Sequence, residues 1–421
     1  MPILVGCTKR TPVEEVSLAE SGISIVDAPV TEIDLAWPQW RGGTQGVSAA
    51  ENVPTEWSTS ENKRWQADVP GRGHSSPIVV GDLVVLGTAI ESSETQWVIA
   101  YDRATGDEVW RTTVHEGGFP SKRSVHVKAT NANSTLASDG KTLVTAHLNG
   151  DHIWVTGLDL SGEQLWQTDI GAFNSKFGYA PSPILYKSLA ILAADNAGGG
   201  YLVAVDLNSG EVAWRVARGN ASSYSSPTLA LLSGKEQVLI TGGDRLASYD
   251  PESGKLLWKT ECIAEATCGT VVVAGDKVLA SGGYPDKETV CLSAEGERIW
   301  SNRTKVYEPS LVSDGENVFA VADNGIAYCW SLEDGSVNWK RRLGGDFSSS
   351  PVICNGNVYV ADLSGNQYVF KASGEAYELV SKNQFGDDCY ASPAIAGDAI
   401  FFRVGAGSGG SRKEILVCFA P

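Results

Sequence analysis

At a regular spacing along this chain six glycines are each followed four residues later by a tryptophan: Gly106 and Trp110, Gly162 and Trp166, Gly210 and Trp214, Gly254 and Trp258, Gly296 and Trp300, Gly335 and Trp339. The fullest copies read Ala100-Tyr-Asp-Arg-Ala-Thr-Gly106-Asp-Glu-Val-Trp110 and Ala204-Val-Asp-Leu-Asn-Ser-Gly210-Glu-Val-Ala-Trp214. Trp65 closes an isolated first copy, and the seven tryptophans stand 45, 56, 48, 44, 42 and 39 residues apart. A unit of about 40–50 residues built of short strands cannot bury its own apolar faces, and the solution with that period is a propeller blade.

Each unit divides in the same way. Ser76-Pro77-Ile-Val-Val80 is a short apolar strand, Gly81-Asp82 a turn, Leu83-Val-Val-Leu86 a second strand and Trp97-Val-Ile-Ala-Tyr101 a third. The turn Arg103-Ala-Thr-Gly106 then leads to a fourth strand carrying Trp110. The order recurs from Ser134, Ser182, Ser226, Gly269, Pro309, Ser350 and Ser392, which predicts an all-β, eight-bladed β-propeller of four-stranded blades. The last unit has three strands and ends without a tryptophan strand, so Trp65 is expected to supply it and close the ring by the N-terminal strand. The tryptophans are expected to fill the gaps between blades. Blade 7 has Glu378 at the tryptophan position, so its joint should be packed differently.

Composition enters where it excludes partners. Repeat architecture makes residues 37–421 one domain despite a length of 421 residues. Lys and Arg number 33 against 50 Asp and Glu, a net charge of −17 that repels a phosphate backbone and argues against nucleic acid. No apolar stretch reaches the roughly 18 residues of a membrane-spanning helix.

Residues 1–36 carry a separate message. Leu4-Val5-Gly6-Cys7 has the form of a bacterial lipobox, in which Cys7 would be lipidated, and the polar stretch after it reads as a flexible tether. Only six residues precede Cys7, none basic, so the lipobox reading requires translation to start further upstream. It places the protein outside the cytoplasm, periplasmic and anchored by lipid to the outer membrane, with no other membrane contact.

Several motifs fail on context. Gly405-Ala-Gly407-Ser-Gly-Gly410 satisfies G-x-G-x-x-G but joins two strands, whereas a dinucleotide fingerprint opens a helix. The five histidines show no metal or triad spacing, and no catalytic residue or metal ligand is assigned. Cys291, Cys329, Cys354 and Cys418 fall in small apolar strand positions, Cys389 has no evident partner, and Cys262 and Cys268 flank a short loop where a disulfide is possible.

One constellation remains. A ring-bearing residue stands three or four positions ahead of the innermost strand's proline, or its replacement Leu311, in six blades: His74, Tyr179, Tyr224, Tyr307, Phe347 and Tyr390. Chain direction alternates between strands, so these approaches share one face and would line one mouth of the central channel. The rings either plug that mouth or bind a ligand or partner. The long connection between blades 1 and 2 adds Lys122, Arg123, His126 and Lys128 to the same face, a basic cluster that reads either as a solvated loop or as an attraction for an anionic partner.

The phrase Ala-x-Asp-x-x-Thr-Gly-x-x-x-Trp resembles the docking motif of the pyrroloquinoline-quinone-like (PQQ-like) propeller repeat, over residues 37–421. Trp37-Pro-Gln-Trp-Arg-Gly42 with Pro70-Gly-Arg-Gly-His-Ser-Ser-Pro77 looks like a bacterial exported branch of it. The resemblance implies one of two opposite functions. Quinone-dependent dehydrogenases of this fold hold PQQ and Ca²⁺ at the axis, many beside a disulfide of adjacent cysteines. The propeller lipoprotein of the outer-membrane β-barrel assembly machinery is a non-enzymatic scaffold. No Cys-Cys pair and no dense acidic ligand loop occurs here. The expected function is therefore a monomeric, non-catalytic scaffold that binds a protein or peptide without a cofactor. The alternatives are a PQQ-dependent oxidoreductase and a small-ligand sensor at the channel mouth.

Overall fold

Each repeat forms one antiparallel four-stranded sheet, and eight sheets surround a common axis. The structure is a computed structural model and describes residues 12–43, 45–407 and 409–421. The lipobox and Cys7 lie outside the described residues. Blade 1 runs outward as Ile78–Val80, Leu83–Ile90, Thr95–Asp102 and Glu108–Glu116. Its middle strands are buried along most of their length, as strands sandwiched between neighbouring blades must be, while the outermost strand alternates and faces water. Blades 2 to 7 repeat the pattern, their outermost strands ending with Gln164–Ala172, Val212–Gly219, Leu256–Glu261, Arg298–Asn302, Val337–Arg342 and Leu379–Gln384.

Blade 8 is composite. Ala394–Ala396, Ala399–Ala406 and Lys413–Phe419 come from the C-terminal end, and Lys63–Val69 supplies the outermost strand. Trp65 lies opposite Cys418 in that antiparallel pair, so the N-terminal strand closes the ring. Fully buried Arg403 then staples blade 8 to blade 1. Its Nε donates to Glu414 at 2.7 Å and its Nη1 to the carbonyl of Gly87 at 2.6 Å.

The repeated phrase acts between blades. Six of the seven tryptophans pack on the glycine of the next blade: Trp65 on Gly106, Trp110 on Gly162, Trp166 on Gly210, Trp214 on Gly254, Trp258 on Gly296 and Trp300 on Gly335, while Trp339 reaches the next blade through its indole N–H to the Ser373 carbonyl at 2.8 Å. The indole N–H commonly donates to a carbonyl of that next turn, as Trp65 does to Arg103 at 2.9 Å and Trp166 to Leu207 at 2.8 Å. Blade 7, with no tryptophan, is joined to blade 8 by Trp57 from the N-terminal segment. Its ring stacks on Phe419 at 5.3 Å, and its indole N–H donates to Gln367 at 3.3 Å.

Residues 12–36 do not stand off the propeller as a tether. Val16 bridges Arg215 on the outer edge of blade 3, and Leu18, Ile23 and Ile25 pack on the core shared by blades 3 and 4. The chain then crosses the base of the ring, where Ser188 N–H donates to Val26 at 2.9 Å and Gly81 N–H to Asp34 at 2.7 Å. The following segment turns into the axis and plugs it. Trp37 bridges Val79 of blade 1, Arg41 Nη2 donates to the carbonyl of Leu311 at 2.6 Å, and Val47–Ser48 adds a parallel strand to Val352–Cys354 of blade 7.

A belt of hydrogen bonds surrounds the plugged axis. The backbone N–H at the head of one blade's first strand donates to the serine or threonine hydroxyl at the head of the next. Ser76 donates to Thr135 at 2.9 Å, Thr135 to Ser182 at 3.0 Å and Ser182 to Ser226 at 2.9 Å. Thr270 donates to Ser310 at 3.0 Å, Ser310 to Ser350 at 2.9 Å, Ser350 to Ser392 at 2.9 Å, and Ser392 back to Ser76 at 3.0 Å. Between blades 4 and 5 the link is absent, and Thr270 Oγ1 is buried without a partner among the described residues.

Candidate binding site at the channel mouth

Because the plug fills the axis from the base, the opposite end is a cup of about 290 Å³. Its lower wall is the hydroxyl belt, represented by Ser76, Thr135, Ser182, Ser226, Ser350 and Ser392, with Trp40 of the plug among the lining residues. Above them stand His74, Tyr390, Phe177, Tyr224 and Tyr307. His74 and Tyr390 stack in parallel at 4.2 Å, and Phe177 leans toward Tyr224 at 6.1 Å. At the rim Lys128 donates to Glu308 at 2.8 Å, joining the blade 1–2 connection to the approach of blade 6, and Glu308 also accepts from Ser348.

Four of the six rings read from sequence therefore meet at the mouth: His74, Tyr224, Tyr307 and Tyr390. Tyr179 and Phe347 do not. The Tyr179 hydroxyl donates to the Ala193 carbonyl at 3.1 Å and its ring packs edge-on to Phe173, within the core shared by blades 2 and 3. Phe347 is fully buried beside Tyr368, within the core shared by blades 6 and 7. Rings three residues ahead of the proline reach the mouth, whereas of the three that stand four ahead only Tyr307 does. Lys122 and Arg123 lie exposed on the short 3₁₀ turn Lys122–Ser124, outside the cup, while His126 and Lys128 of the same connection line it. Sequence reading passed over Phe177, Glu308, Trp40 and the belt hydroxyls, although the recurring Ser-Pro at the first strands was a signal for the belt.

Electrostatics set the protonation states. Burial, reinforced by the charges of Arg72, Arg403 and Arg412, holds His74 well below the ordinary histidine pKa, so it is a neutral imidazole near pH 7. Burial disfavours the Lys128 charge, but the hydrogen bond and charge of Glu308 outweigh it and raise the Lys128 pKa. Cys262 and Cys268 are both free thiols, so the disulfide considered for them is not formed. Burial pushes each thiol up to about 12, which makes Cys268, although part of the lining, a poor nucleophile.

The cup does not suit a calcium–quinone centre. Among the described residues no group of three or more His, Cys, Asp or Glu side chains is arranged to hold a metal. The cup's one carboxylate, Glu308, is already engaged by Lys128 and Ser348. Ca²⁺ requires six to eight oxygen ligands. A quinone bearing three carboxylates would meet a lining with a single ammonium, Lys128, and no guanidinium.

The family profile described as "Outer membrane protein assembly factor BamB" matches residues 38–113 and 94–341, well over half of the chain. The chain belongs to the BamB family. The BamB of Burkholderia pseudomallei strain K96243 is 26% identical over 351 residues, covering 73% of this chain and 87% of that protein. The crystal structure of BamB from Moraxella catarrhalis superposes with a TM-score of 0.62 at 14% identity, covering 84% of this chain and 99% of the other. The quinohemoprotein alcohol dehydrogenase of Comamonas testosteroni gives 0.63 at 12% identity, covering 91% of this chain and 80% of that one. At such identities the two structural likenesses speak for the fold alone.

Proposed function

We propose that this protein is a non-catalytic, monomeric scaffold of the bacterial envelope that takes part in outer-membrane protein assembly by docking a protein or peptide at the channel mouth. The observation that carries the reading is the cup itself. Five rings converge on a closed, plugged ring, and Phe177 stands 40% exposed at the mouth, where a buried plug residue would be covered. A rigid disc presenting an aromatic concavity supplies shape and apolar area without reacting groups. Membership of the BamB family supports the assembly role, and acyl chains on Cys7 would keep the disc at the membrane, each buried CH₂ contributing ~0.8 kcal/mol.

The test is genetic and biochemical. Deleting the gene in its native host should lower the amount of β-barrel protein in the outer membrane. Complementation with Phe177→Glu should fail although the variant accumulates folded. Unchanged barrel levels in the deletion strain would overturn the assembly role, and full rescue by Phe177→Glu would move the docking site elsewhere. Cys7→Ala, expressed with the native upstream codons, should shift the protein from the membrane to the soluble fraction.

A further inference from the structure

The belt hydroxyls have a property that ring closure does not require. Ser76, Thr135, Ser182, Ser226, Ser350 and Ser392 each accept a backbone N–H, yet none donates its own proton to any described residue. All six line the cup and all are more than nine-tenths buried. A buried hydroxyl with an unused donor is costly unless an acceptor reaches it. The lower cup is thus a concave surface of donors. The cup's carboxylate sits at its rim, held by Lys128 and Ser348.

We propose that the cup receives a single carboxylate carried on an apolar, preferably aromatic, body. The belt hydroxyls hold the carboxylate oxygens, and the body lies between His74 and Tyr390 on one side and Phe177, Tyr224 and Tyr307 on the other. This rests on the reading of the mouth as the docking site and names the chemistry received there. A neutral polyol could accept the same protons but brings no charge for Lys128 to pair with. Lys128 supplies the counter-charge by turning from Glu308 to the ligand. The same chemistry comes from two sources, a free small acid or the C-terminal residue of a polypeptide.

Titration calorimetry on the full chain separates these cases, using 3-phenylpropionate, its amide, and a flexible Gly/Ser peptide ending in phenylalanine as free acid and as amide. Each acid should bind about tenfold or more tightly than its amide, as a charge-assisted set of hydrogen bonds requires. Lys128→Met should reduce the acid–amide difference several-fold in protein that still melts cooperatively, and Glu308→Gln, which frees Lys128, should strengthen acid binding. A peptide acid that outcompetes 3-phenylpropionate assigns the site to a polypeptide terminus, and equal affinities assign it to a free acid. Absence of binding at millimolar concentration, or equal binding of acid and amide, overturns the proposal. In that event a failure of Phe177→Glu to complement would still leave the docking reading intact, so the two fail separately.

Discussion

A methyl group built on Gly162 would lie 2.6 Å from the Trp110 ring, at a backbone φ of +85°. Gly234 has a similar φ of +77° with nothing within 4 Å of the same methyl. The pair separates two roles of glycine. Gly234→Ala should cost roughly 1–2 kcal/mol, the penalty of a left-handed residue alone. Gly162→Ala should cost roughly 1–3 kcal/mol more, because a close-packed joint must open around the indole. Urea unfolding of the two variants measures the difference. A second residue-scale prediction concerns acid. Burial, and secondarily the charge of His115, pushes His147 down to about 3, and burial pushes His115 down to about 4. The two rings meet edge-on at 6.1 Å. A folded-state pKa below the unfolded value of about 6.5 means that the unfolded chain binds the proton first. Stability is therefore complete above about pH 6.5 and declines as pH falls through 4. The melting temperature of His147→Leu should fall less steeply over that interval than that of the wild type.

At the scale of the strand and the joint, Trp57 shows how a missing repeat residue is replaced. Blade 7 lost its tryptophan to Glu378, and an indole from far outside the blade fills the joint, buried against Phe419, Phe402 and Tyr359. Trp57→Ala should cost about 3–5 kcal/mol, like other aromatic-to-alanine changes in a core, and calorimetric melting checks it. This joint also marks how far the chain can be read. Blade number, strand order and closure by Trp65 are written in a repeated phrase, because each copy faces the same neighbour and so keeps the same residues. The altered packing at Glu378 is visible as a gap in that phrase. What fills the gap is not, since Trp57 comes from a stretch with no periodicity. The same holds for the plug Trp37–Gly43 and for residues 12–36, whose contacts with the base are made once each and leave no pattern. At the mouth, ring type and approximate position were legible, but a one-residue difference in the approach decides between the cup and the core, as Tyr179 and Phe347 show.

In the whole molecule the strand Lys63–Val69 meets the C-terminal strands in blade 8, and a ring closed there would ordinarily be expected to open there. The contacts point elsewhere. Blade 8 is tied to its neighbours by Arg403, Trp65 and Trp57, and by belt links on both sides. The joint between blades 4 and 5 lacks its belt link, and there the Trp258 indole donates to Gln237 of its own blade at 3.0 Å instead of reaching across. Bonds nearer the rim still cross there and partly offset the loss: Thr228 Oγ1 donates to the Val271 carbonyl at 2.9 Å, Ser233 N–H to Asp276 at 2.7 Å, Arg298 to the Glu261 carbonyl at 3.1 Å, and Thr260 Oγ1 to the Gly296 carbonyl. In mechanical terms the disc is a split washer whose split is not at the weld. Under rising denaturant, amide exchange should accelerate first along Thr228–Leu232 and Val272–Ala274, ahead of Lys413–Phe419. A protein cut and rejoined so that its new ends fall between blades 4 and 5 should lose less stability than one opened at any joint the belt spans.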